Sequence, residues 1–268
     1  MRIIRFIDES DNVRLGRLEG DNSVILLQNE GGEAVPEDRK VSIRHMLAPV
    51  EPKNIICIGA NYAAHAAEAG RDVPEKPIIF MKPTSAINHP GQPIRIPKCG
   101  DPEGEVDYEC ELAVVIGKDA RDVSQEDALS YVLGYTCAND VSARKWQKHG
   151  SGGQWVRGKG FDTFCPMGPV LVTPEDIPDP QCLNISTTIN GEVLQSANTR
   201  DMIFDVKFLI SYLSQDTTLQ AGTVLLTGTC EGVGAARDPK RWLVPGDEVT
   251  IEIEGIGKLT NPVIGPND

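Results

Sequence analysis

Glu109 and Glu111 stand two residues apart in the run YECELAVVIG, residues 108–117. If that run is a strand, both side chains leave the same face, and its continuously apolar second half implies a buried setting. Two like charges placed side by side away from water are costly unless a cation compensates them. Asp140 closes a second apolar run, LGYTCAND, and can complete an all-oxygen triad, with Asp107 an outer candidate. Three carboxylates with open positions suit Mg²⁺ or Mn²⁺, which keep water or substrate oxygens in their remaining sites. The same residues also fit an edge strand with its acids in solvent, and spacing alone leaves both arrangements open.

His65 and Glu68 lie three apart in an alanine-rich stretch, so on a helix their side chains can meet. A carboxylate bonded to imidazole fixes the tautomer and makes the other nitrogen a better base; a surface pair of no consequence fits equally. The spacing is not HExxH, which removes a zinc protease at this point. Lys159, in GQWVRGKGF, completes GxxxxGK, but Gly160 stands where a phosphate-binding loop needs Ser or Thr. A lysine among glycines and aromatics is instead a candidate substrate ligand or catalytic cation, with a plain surface lysine as the alternative. Thr227–Gly228–Thr229 and Gly232–Val233–Gly234 form a tight loop that can offer N–H groups to an anion. Neither a GxSxG motif nor a defensible Cys/His pairing is present, which disfavours covalent serine or cysteine catalysis.

The elements that must position these groups are mostly strands. Arg2–Ile7, Val13–Leu18 and Ser23–Leu27 are short strand-like runs separated by turn residues, and Gly31–Gly32 suggests an exposed loop. A short helical patch near Ser42–Leu47 precedes Pro49 and Pro52, which mark a boundary. Residues 1–50 therefore read as a small β-rich unit and 51–268 as the main domain. There, Ile55–Ile58, Ile78–Met81, Tyr108–Gly117, Val132–Val141, Val224–Thr227, Glu248–Ile253 and Lys258–Val263 read as strands. Tyr62–Ala69 reads as a short helix ended by Gly70, and Ser124 with Asp127 resembles a capping box opening another. Leu183–Ile189 and Glu192–Ser196 flank Asn190–Gly191, a tight-hairpin signal. Phe204–Ser214 carries Val206, Leu209, Ile210 and Leu213 at helical spacing. Many strands and few helices, without βαβ alternation, predict a β-rich α+β fold.

A chain of 268 residues with net charge −13 argues against a nucleic-acid partner. An acidic protein that takes an anionic substrate needs local cations, from side chains or a metal. Seven cysteines without a CxxC pair suggest reduced, mostly buried thiols. No stretch approaches the ~20 apolar residues of a membrane span, and the acids after the first short apolar run fit neither a signal nor a transit peptide. The expected location is cytoplasmic.

Seven strings, in order, resemble the fumarylacetoacetate hydrolase family: IGANYAAHAAE, KPTSAI, VDYECELAVVIG, GYTCANDVSARKWQ, KGFDTFCPMGP, INGEVLQSANTRDMIF and LLTGTCEGVG. The resemblance spans about Asn54 to Val263 and implies the family's mixed-strand β-roll, usually dimeric. It implies that Glu109, Glu111 and Asp140 hold Mg²⁺ or Mn²⁺, that His65 and Glu68 form a mobile dyad, and that Lys159 is the catalytic lysine. It further implies substrate contacts at Gln147 and Thr229, with Arg144 a weaker candidate for a carboxylate contact. Cys230 departs from the family's usual TGTPEGVG and could loosen that loop. The implied substrate is a small 2-oxo acid whose carboxylate and carbonyl oxygens chelate the cation as an enolate forms. Hydrolysis of an acylpyruvate- or fumarylpyruvate-type carbon–carbon bond is the first expectation. Decarboxylation of an oxaloacetate-type acid, or isomerisation of a hydroxymuconate or 2-hydroxyhepta-2,4-diene-1,7-dioate type, is the alternative, and a non-catalytic metal-binding relative is a third.

Overall fold

A computed structural model describes residues 1–19, 23–30, 33–99, 105–150 and 152–268. The expected Gly31–Gly32 loop and the end of the proline-rich segment 92–104 lie outside the described residues. Two β-sheets face each other across the core, in the strand-rich α+β arrangement expected. The larger runs, strand beside strand, through Glu33–Lys40, Ser23–Glu30, Val13–Glu19, Arg2–Asp8, Cys165–Val172, Val132–Asn139, Cys110–Ile116, Val224–Leu226, Ile55–Gly59 and Ile78–Lys82. The smaller runs through Glu192–Asn198, Asn184–Ile189, Glu248–Ile253, Gly257–Ile264 and Ile94–Arg95. Most pairs are antiparallel, but Val224–Leu226 lies parallel to Ile55–Gly59.

Cys110–Ile116 is buried at every position because both faces of its sheet are covered. Cys110, Leu112, Val114 and Ile116 enter the core shared with Ile185, Ile251, Ile253 and Leu259 of the smaller sheet. Ala113 and Val115 point the other way, into a second cluster with Ile55, Cys57, Phe80 and Leu226. By the two-residue period of a strand, Glu111 belongs to this second face. One strand thus anchors the inter-sheet core with half its residues and reaches the site with the other half.

Local signals account for several elements. Asn190 and Gly191 both have positive φ, 51° and 87°, as a two-residue turn matched to strand twist requires. The helix Val206–Ser214 is capped by Asp205, whose Oδ1 accepts from the Phe208 N–H at 2.7 Å. Its apolar stripe of Val206, Leu209, Ile210 and Leu213 is buried.

Two expectations fail. Residues 43–47 are a strand, not a helical patch, because Ile43–Leu47 pairs antiparallel with Arg2–Asp8; distant pairing overrides a weak local pattern. Ser124 Oγ does accept from the Asp127 N–H at 3.1 Å. The cap opens only the four-residue 3₁₀ turn Ala128–Tyr131, not a regular helix. The N-terminal strands extend the large sheet, since Arg2 and Ile3 register against Val172 and Leu171.

Leu209 is fully buried on a helix that contributes nothing to the cavity lined by His65 and Glu109. Leu209→Ala is expected to lower unfolding free energy by about 2–5 kcal/mol while leaving divalent-cation affinity intact, checked by denaturant titration and calorimetry.

Candidate active site

Glu109 is not in the strand where it was expected. It occupies the two-residue link between the short strand Val106–Asp107 and the strand Cys110–Ile116. Its N–H donates to Asn139 Oδ1 at 3.0 Å, and its carbonyl accepts from the Asp140 N–H at 3.0 Å. This crossing of two chain segments sets Glu109 beside Asp140, while Glu111 arrives from the strand proper. Carboxylate oxygens of Glu109, Glu111 and Asp140 all lie within 4.8 Å of one another, and all three residues are buried.

Two lysines are buried against them. Lys159 Nζ donates to Glu109 Oε2 at 2.8 Å, Asp140 Oδ2 at 2.6 Å and Ser142 Oγ at 2.7 Å, which engages all three of its N–H donors. Lys82 Nζ bonds Asp140 Oδ1 and the Val141 carbonyl. Arg144 bridges Asp107 and Glu109, its Nε 2.8 Å from Asp107 Oδ2 and its Nη1 2.7 Å from Glu109 Oε1. Its Nη1 also donates to Gln147 Oε1 at 3.1 Å, whereas its buried Nη2 has no hydrogen-bond partner.

The charges divide unequally. Burial pushes the Glu109 pKa up, but Lys159 and Arg144 outweigh it and hold the group well below the usual carboxylate range. Burial disfavours the Lys159 ammonium, yet Asp140 and Glu109 raise its pKa above that of a free lysine, so it is a fixed cation and not a base. Glu111 has no ion-pair partner among the described residues, and its bond is to the Gly228 N–H, 2.6 Å from Oε2. Burial, then Asp140 and Glu109, push its pKa well above the ordinary value. A buried acid held up by two neighbouring carboxylates marks a donor set short of positive charge. A divalent cation fits that shortage and that all-oxygen chemistry.

The helix Ala63–Glu68 supplies the dyad. His65 Nδ1 lies 2.7 Å from Glu68 Oε1, and Glu68 Oε2 accepts from the Gly232 N–H at 2.8 Å. Gly234 and Ala235 N–H groups bond the two oxygens of Asp107 at 2.8 and 2.9 Å. The loop expected to present N–H groups to an anion therefore binds three of the site's own carboxylates, those of Glu111, Glu68 and Asp107. Gly228 suits this work because its φ is +94° and a Cβ would lie 2.6 Å from that of Asn61.

A cavity of about 230 Å³ is lined by His65, Glu68, Glu109, Arg144, Gln147, Lys159 and Thr229 among others. Seven of the nine residues singled out from sequence thus share one cavity, and Glu111 and Asp140 join it through the carboxylate cluster. Thr229 Oγ1 accepts from Gln195 Nε2 at 2.9 Å, and the same nitrogen donates to the Cys230 carbonyl. Gln195 Oε1 in turn accepts from the Cys110 N–H, so one buried amide ties the loop at Cys230 to the strand between the two glutamates. Sequence reasoning missed Lys82, Ser142 and Gln195. Lys82 had a signal, a lysine ending the apolar run IIFM, whereas the other two are ordinary polar residues until the fold gives them partners.

Residues 54–264 match the family described as fumarylacetoacetate (FAA) hydrolase C-terminal. The chain belongs to the fumarylacetoacetate hydrolase family. Among its relatives, a Xenopus laevis protein named mitochondrial oxaloacetate tautomerase fahd2 is 49% identical over 220 residues, covering 82% of this chain and 68% of the relative. The Homo sapiens protein named mitochondrial oxaloacetate tautomerase FAHD2A is 48% identical over 219 residues, covering 81% and 69%. The crystal structure of a 5-carboxymethyl-2-hydroxymuconate delta-isomerase from Mycobacterium smegmatis superposes with a TM-score of 0.85 at 40% identity, covering 99% of this chain and 100% of that one. No described helix is long and apolar enough to cross a membrane.

Cation binding should convert Glu111 from acid to carboxylate. At neutral pH, Mn²⁺ titration in weak buffer is expected to release up to about one proton per site. Because the Glu111 pKa is raised in the metal-free protein, the release should shrink as pH climbs through that value, and Glu111→Gln should abolish it. pH-stat titration reads all three.

Proposed function

We propose that this protein is a metal-dependent enzyme that moves a proton between carbon and oxygen, or between carbons, of small 2-oxo acids, in the manner of a tautomerase or isomerase. The observation that carries the reading is one cavity holding both the Glu68-bound imidazole of His65 and the edge of the three-carboxylate cluster. Glu109, Glu111 and Asp140 would hold Mg²⁺ or Mn²⁺, and the cation would supply a Lewis acid for the vicinal carboxylate and carbonyl oxygens of the substrate.

The chain's own groups do the rest. The Glu68 carboxylate orients His65 and stabilises its protonated form, so that Nε2 takes a proton from the carbon next to the carbonyl. The same proton, or one from solvent, is returned at oxygen or at another carbon, and the substrate's composition does not change. Lys159 and Lys82 keep Glu109 and Asp140 ionised and in place. Arg144, with its unpartnered Nη2, and Gln147 and Thr229 on the cavity wall bind the substrate's carboxylate end. A second copy of the chain is the expected partner, and neither nucleic acid nor membrane is needed. The relatives named mitochondrial narrow the cytoplasmic expectation to a reducing compartment, consistent with seven free cysteines.

Carbon–carbon hydrolysis, the first expectation from sequence, uses the same base on a water molecule. Relatives named tautomerase and isomerase favour proton transfer over it. A panel of oxaloacetate, acetylpyruvate, fumarylpyruvate and a 2-hydroxy-dienedioate, run with Mn²⁺, with Mg²⁺ and with chelator, decides among them. Metal-dependent interconversion of keto and enol forms without carbon loss is expected; cleavage of acylpyruvates as the fastest reaction would restore the hydrolase reading. His65→Ala should lower turnover by roughly 10²–10⁴-fold while keeping the cation. Full turnover in that variant would remove His65 from its role.

A further inference from the structure

The mouth of the cavity carries two cations that the proton-transfer chemistry does not use. Arg71 and Lys148 both line it, and neither is ion-paired among the described residues. On a chain of net charge −13, two unpaired cations converging on one opening suit an anionic group of the ligand.

Arg71 is held in place from two sides. The helix Ala63–Glu68 ends in a Schellman motif, with the Arg71 N–H on the Ala66 carbonyl at 2.9 Å and the Gly70 N–H on the Ala67 carbonyl at 3.0 Å. Gly70 takes the left-handed φ of +66° that this requires. The guanidinium then lies over the Trp155 ring, 5.6 Å from its centroid. Trp155 is itself fixed edge-on to Phe80 at 5.3 Å, and it fills the space beside Gly59, where a Cβ would come within 2.4 Å of the indole. Lys148 belongs to a different wall, the turn Trp146–Gly150, next to the Gln147 that bonds Arg144.

We infer that Arg71 and Lys148 form a distal carboxylate subsite that selects dicarboxylic over monocarboxylic 2-oxo acids. This rests on the 2-oxo-acid reading and adds the identity of the substrate's far end. A short diacid bound at the carboxylate cluster and Arg144 presents its second carboxylate toward the mouth. There it bridges Arg71, which follows the helix bearing His65 and Glu68, to Lys148 on the facing wall. A monoacid leaves that bridge unmade.

The test compares oxaloacetate with its 4-methyl ester, which keeps the chain and removes the distal charge. With Mn²⁺ present, kcat/KM for the diacid should exceed that for the ester by roughly tenfold or more, the order of one charge-assisted hydrogen bond. The double variant Arg71→Gln, Lys148→Gln should bring the ratio toward one, and Arg71→Lys should fall between. A ratio unchanged in the double variant, or no preference in the unaltered protein, overturns the subsite. Calorimetry with 3,3-difluoro-oxaloacetate and its 4-methyl ester, which have no C3 proton to move, repeats the comparison without turnover. Absence of turnover on both substrates, with tighter binding of the difluoro diacid that is lost in the double variant, would sink the tautomerase reading and keep the subsite. Equal binding of diacid and ester would sink the subsite even if turnover is found.

Discussion

Like charges of Glu109, Glu111 and Asp140 are confined within 4.8 Å in a buried setting, and much of the surrounding structure answers that confinement. In a low dielectric their mutual repulsion cannot be left to water. Lys82, Lys159 and Arg144 supply three cations for Glu109, Asp140 and Asp107. The glycine loop supplies N–H dipoles to Glu111, Glu68 and Asp107. Glu111 has no cation among the described residues, and that residual imbalance is the strongest physical reason to place a divalent ion among these oxygens.

The compensation is also a means of positioning. Lys159 is held by Glu109, Asp140 and Ser142 at once, so its head can adopt few other orientations. Gln195 performs the neutral counterpart, joining the Cys110 backbone, the Thr187 hydroxyl, Thr229 and Cys230 through one amide. Its grip on the Cys230 carbonyl holds the loop where proline was expected, so the substitution does not leave that segment untethered. The large sheet contributes rigidity, because its central strand is buried on both faces and cannot shift register without moving Glu111 out of the site. The dyad sits differently, on a six-residue helix whose Glu68 reaches the main body through one N–H of the loop. A base on a short helix facing a rigid acidic floor suits a site that must admit and release its substrate.

Legibility in the sequence followed locality. The Asn190–Gly191 hairpin and the Val206–Ser214 helix were readable because turn chemistry and a 3.6-residue period act over a few neighbours. The segment at residues 43–47 misled because its partner, Arg2–Asp8, lies far away in the chain. The nine candidate residues were legible by type and spacing, and by resemblance to a family, not by any visible proximity.

What the sequence by itself determined was the inventory: the acids on apolar strands, the His65–Glu68 spacing, the glycine loop and the family those strings belong to. Only the tertiary structure decided who meets whom. It moved Glu109 off the strand and onto a link beside Asp140, drew in Lys82 and Ser142 as partners, and turned the loop's N–H groups toward the site's own carboxylates. It also set Arg71 and Lys148, from separate segments, around one opening. The reason is physical. Spacing along a chain fixes which face a side chain leaves, whereas the cost of burying charge is settled between residues that meet only after the chain has folded.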